Sequence, residues 1–109
     1  MDFTALADNL GLEKIEFLEF VELFLETSDS DLGDLEFAVG AGDVQKVMES
    51  AHSIKGAASN LGFTGISEVA KDVESKARGN SLSGAIEAVK RIKNELGLIA
   101  MDLKANTAG

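Results

Sequence analysis

Apolar residues recur every three or four positions along most of this chain, the spacing of amphipathic helices. In the first long segment Phe17, Val21, Phe24 and Ser28 share one side, and Glu16, Glu19, Glu22 and Glu26 share the other. The run Thr27-Ser28-Asp29-Ser30-Asp31 has poor helix propensity, yet Leu32, Leu35, Phe37, Ala38 and Val39 resume an apolar pattern up to Gly40-Ala41-Gly42. One long helix, bent at that run if anywhere, accommodates both halves. Asp43 follows as an N-cap, and Val47, Ala51, Ile54, Ala58 and Leu61 form the next stripe. Gly62 is placed to end that helix. Thr64 can cap the following one, whose stripe is Ile66, Val69, Ala70, Val73 and Ala77, ending at Gly79-Asn80. The last stripe runs Leu82, Ala85, Val89, Ile92, Leu96, Ile99 and Leu103, and residues 106–109 should fray.

With a short leading helix over residues 3–10, this predicts an all-α protein. It should be an up-down antiparallel four-helix bundle with a short extra N-terminal helix, one domain spanning residues 1–109. Absence of proline agrees with it.

Composition then removes most chemistries. There is no cysteine and one histidine, which excludes thiol catalysis, zinc–thiolate sites and paired-histidine metal motifs, so no metal site is expected. The formal charge of −9 argues against nucleic acid and anionic membranes as partners. It is uneven: residues 1–37 hold 11 acids and one base, Lys14, while residues 38–109 hold eight acids and nine bases. The acidic bias therefore reads as the wet face of the first long helix. No signal peptide or membrane span is legible, and a cytoplasmic monomer is expected. Asp29-Ser30-Asp31 fails as a calcium loop, because its sixth position is Asp34 and its twelfth Gly40. Gly40-Ala41-Gly42 fails as a dinucleotide loop, because Gln45 stands at its last glycine position and no strand precedes it.

His52 remains. At about 100° per residue it lies roughly 140° from the stripe of its own helix, so it is not a core histidine. Met48, Lys55, Gly56 and Ser59 stack on its face at i−4, i+3, i+4 and i+7. Gly56 costs a helix interior about 1 kcal/mol relative to alanine, a cost that makes sense where something approaches the backbone closely. An exposed imidazole beside a mobile cation and a cleared surface suits a nucleophile that accepts a phosphoryl group. No P-loop and no nucleotide cradle accompany it, so catalytic parts must come from a partner.

The run Ala51-His52-Ser53-Ile54-Lys55-Gly56-Ala57-Ala58-Ser59-Asn60-Leu61-Gly62-Phe63 resembles the signature of histidine-containing phosphotransfer (HPt) domains. The resemblance extends to Ala41-Gly42-Asp43 before it and Val73-Glu74 after it. It implies a four-helix bundle that exchanges phosphoryl groups between His52 and an aspartate of a response-regulator receiver domain in a two-component phosphorelay. The receiver would bring Mg²⁺, and the chain itself would be a carrier rather than an enzyme, without a cofactor. Carried over by position, His52 is the phosphoacceptor, Lys55 contacts the phosphate, Gly56 opens the docking surface and Gly62 ends the helix. Met48 and Ser59, on the same face, either touch the partner or are surface filler. Glu74 stands 22 residues after His52. In the phosphoacceptor domains of chemotaxis histidine kinases, a glutamate at that spacing hydrogen-bonds the imidazole and orients it. The alternative is that Glu74 is a solvated helix residue. Phe63 reads as a hydrophobic contact sealing the helix end, in preference to a docking residue.

Two other functions stay open. The chain could be the phosphoacceptor domain of a chemotaxis-type kinase, phosphorylated in trans, although Val47-Met48-Glu49-Ser50 lacks the Phe-Arg-Ala approach of that subfamily. It could also be a bundle that binds partners without phosphotransfer.

Overall fold

A computed structural model describes residues 1–107 as five helices, with no strand among the described residues. They are α1 (Phe3–Asn9), α2 (Lys14–Ala41), α3 (Val44–Leu61), α4 (Thr64–Arg78) and α5 (Ala85–Thr107). Helices α2 to α5 form the bundle. α3 packs between α2 and α4, α5 closes the ring against both, and α1 lies on α2.

The predicted stripes are the core. Phe17, Val21, Phe24, Leu35, Val47, Ala51, Ile54, Ala58, Ile66, Ala70, Ile92 and Ile99 are all buried. Four phenylalanines knit one end: Phe3 meets Phe17, and Phe63 meets both Phe17 and Phe24, at centroid separations of 5.1–6.3 Å. Phe63 thus seals the end of α3, as expected.

α2 runs unbroken through Thr27–Asp31 because tertiary contacts outweigh local propensity there. Ser28 is buried, and Asp31 accepts a 2.7 Å hydrogen bond from Ser53 of α3. Asp43 caps α3 by accepting from the Lys46 amide at 3.1 Å. Gly62 ends α3 at φ 83°, where the Phe63 amide reaches back to the Ala58 carbonyl. Gly42 ends α2 in the same left-handed conformation.

Several boundaries differ from the periodicity. Thr64 is not a cap but the first residue of α4. The cap position falls to buried Phe63, which offers no side-chain acceptor. α5 begins at Ala85 rather than Leu82, because Gly84 at φ 75° cannot continue a right-handed helix. Asn106 and Thr107 remain helical, their side chains bonding back to the Asp102 and Leu103 carbonyls, while residues 108–109 lie outside the described residues. Phe37 is 79% exposed, since the stripe passes through Leu35 and Ala38 and leaves Phe37 outward. Among the described residues, no helix is long and apolar enough to cross a membrane.

Candidate functional site

His52 projects from the middle of α3, its side chain 67% exposed. Ala51 and Ile54 beside it are fully buried and fix the helix against the core, so the outward direction of the ring follows from the stripe. Behind the ring stands Glu74, which α4 supplies next to buried Val73 and which is itself buried, its side chain 5% exposed. It is not a solvated helix residue.

An unpaired buried carboxylate would be costly. Glu74 is paired three times. Its Oε2 lies 2.7 Å from His52 Nδ1, and its Oε1 accepts from Lys55 Nζ at 2.6 Å. Arg78, one turn further along α4, donates from a terminal guanidinium nitrogen to Oε2 at 3.3 Å. Burial is the largest influence on this carboxyl and pushes its pKa up. The hydrogen bonds from Lys55 and His52, followed by their charges, outweigh it together and hold the carboxyl below its ordinary value.

That ionisation fixes the imidazole. An ionised carboxylate only accepts hydrogen bonds, so Nδ1 carries the ring proton of neutral His52. Nε2 is left with its lone pair on the solvent side of the ring. The arrangement can attack an electrophile at Nε2, and Glu74 can stabilise the positive charge that the ring would gain.

The remaining sequence candidates fall around this centre. Lys55, 28% exposed, is engaged with Glu74 rather than free. Gly56 is half-buried, and a Cβ built there would meet nothing within 4 Å. No packing inside the chain therefore demands a glycine at that position. Ser59 is exposed. Met48 is half-buried and packs against the core, so only part of it is available to a partner. Phe20 and Leu23 of α2 are about half exposed. Phe20 lies within about 20° of Asp31 around the helix, on the flank that meets α3. Sequence reasoning missed both, as it missed Arg78, although the spacing of Glu74 and Arg78 is that of a helical ion pair. Among the described residues, no group of three or more His, Cys, Asp or Glu is placed to hold a metal ion.

The helical bundle thus presents one solvent-facing imidazole, hydrogen-bonded from behind by a buried carboxylate. The profile of the Hpt domain family matches residues 19–101, and the chain belongs to that family. Among solved structures, it is similar to histidine-containing phosphotransfer protein B (HptB) from Pseudomonas aeruginosa PAO1. The identity is 27% and the TM-score 0.84, over 97% of this chain and 92% of that one. No curated protein matches the sequence.

Proposed function

We propose that this chain takes a phosphoryl group onto His52 Nε2 from a receiver-domain aspartyl phosphate and returns it to a receiver aspartate. The observation that carries this reading is the 2.7 Å bond from His52 Nδ1 to buried Glu74, which leaves Nε2 as the free nucleophile. Membership of the Hpt family supports a phosphotransfer role in a phosphorelay.

In the forward step the Nε2 lone pair forms an N–P bond while the acyl phosphate P–O bond breaks. The bonding pair returns to the aspartate as carboxylate. The proton stays on Nδ1, and the ring becomes a phosphorylated imidazolium facing Glu74. Lys55 turns from Glu74 Oε1 toward the phosphoryl oxygens. The reverse step transfers the group to a carboxylate by the same route. The chain holds the nucleophile and a cation, while the receiver supplies Mg²⁺ and the remaining catalytic groups. Gly56 and Ser59, the exposed part of Met48, and Phe20 and Leu23 on the α2 flank form the face the receiver covers.

The test is transfer from ³²P-labelled receiver domains to the purified protein. Uptake should be acid-labile and base-stable, and absent from His52→Gln. Stable labelling of that variant would sink the assignment. The His52–Glu74 bond also suits the phosphoacceptor domain of a chemotaxis-type kinase. Faster labelling by an ATP-charged kinase domain than by any receiver would favour that second reading.

A further inference from the structure

The two oxygens of Glu74 are not equivalently occupied. Oε1 has one partner, Lys55, whereas Oε2 has two, His52 and Arg78. If Lys55 turns to a phosphoryl group, Oε1 loses its one partner among the described residues. Glu74 is then a buried carboxylate that must keep a cation or become protonated. A protonated Glu74 is no longer an obligate acceptor and no longer dictates which imidazole nitrogen carries the hydrogen.

Until the N–P bond forms the ring is neutral, and Arg78 is then the remaining cation beside Glu74 among the described residues. It reaches Oε2 from the exposed end of α4, with its side chain 67% in water. While Lys55 stays in place it contributes little, since an exposed i,i+4 pair is weak. Its position matters once Lys55 is gone. The guanidinium is always charged and shares the oxygen that holds Nδ1–H.

We propose that Arg78 is a positioning residue: it keeps Glu74 ionised and the neutral His52 Nδ1–H engaged while Lys55 turns to the incoming phosphoryl group. The part of this concerning the incoming group rests on the phosphorelay reading. The part concerning the imidazole does not. Lys55 and Arg78 are thus a relay of cations on one carboxylate, Lys55 departing and Arg78 staying.

Replacing Lys55 by glutamine imitates its departure without any phosphodonor. Two-bond ¹H–¹⁵N correlations of the His52 ring, recorded near pH 8.5 where an ordinary imidazole is neutral, read the tautomer directly. Wild type, Lys55→Gln and Arg78→Gln should all keep the hydrogen on Nδ1. Lys55→Gln/Arg78→Gln should lose that preference and shift toward the mixed tautomers of a free imidazole. Lys55→Gln/Arg78→Lys should recover it, which separates the loss of a cation from general damage to the fold. With Lys55 intact, Arg78→Gln should also slow phosphoryl uptake from a labelled receiver about tenfold. A double variant with the same tautomer as Lys55→Gln overturns the proposal, as does an unchanged uptake rate in Arg78→Gln. If wild type takes no label from any receiver, the phosphorelay reading fails, and the tautomer series still decides the role of Arg78.

Discussion

Glu74 and His52 meet at 2.7 Å across the α3–α4 interface, one buried and the other mostly in water. The pair divides its labour by burial. The hidden carboxylate sets the proton, and the exposed ring keeps its opposite nitrogen free of Glu74. Four expectations follow from that geometry and from the helix that carries it.

His52→Gln should abolish phosphoryl uptake while the bundle unfolds at nearly the wild-type denaturant midpoint. An exposed side chain contributes within about 1 kcal/mol to stability. Urea unfolding and radiolabel transfer on one preparation separate the two effects, and a collapsed midpoint would mean that the ring has a structural role.

Glu74→Gln keeps size but gives Lys55 and Arg78 no anion. A loss of about 1–3 kcal/mol is expected from the disrupted buried network. Uptake from a receiver should slow by at least about tenfold, equal to 1.4 kcal/mol in the barrier. Retention of the full transfer rate would show that the ring needs no orientation.

The lowered pKa of Glu74 also has a pH signature. A carboxyl stabilised in its ionised form contributes fully above its ordinary value of 4.5. As pH falls below that value the unfolded chain takes up the proton first. The contribution then shrinks and is gone once pH has passed below the lower folded value. The stability difference between wild type and Glu74→Gln should therefore narrow below about pH 4.5 and stay flat near neutrality. A difference that widens on acidification would contradict the assignment of the ionised state.

Gly56→Ala should raise stability by up to about 1 kcal/mol, because alanine is the better helix former and its Cβ meets nothing within 4 Å. Gly56→Phe should leave the fold intact and block transfer from a receiver. Uptake from phosphoramidate, a donor too small to need docking space, should persist. Equal loss with both donors would place the defect in the ring rather than in the approach of the partner.

Much of this was legible in the residues. The α3 stripe located His52 outside the core, and the Gly62 turn marked the helix end, because both follow from the geometry of a single helix. What depended on two helices together was not. The burial of Glu74 follows from how closely α4 crosses α3, which one helix's periodicity does not encode. Lys55 was assigned to phosphate by resemblance, and its contact with Glu74 became visible only once both helices were placed. Arg78 was readable as a helical partner of Glu74, but its interest depends on His52 sharing the same oxygen. At Phe37 the hydrophobic residue alone misled, since its neighbours Leu35 and Ala38 already set the inward direction. At Thr64 a good capping residue lay one position too late, because Phe63 was drawn into the aromatic cluster.

The helix bearing His52 is bounded at both ends by left-handed glycine turns, Gly42 and Gly62, each donating backbone N–H hydrogen bonds to the carbonyls of the helix it ends. Among the described residues, no long loop adjoins the His52 helix at either end. If the chain carries a phosphoryl group on His52 as proposed, loading it would require no hinge beside the ring, and full and empty copies would present the same backbone to a receiver.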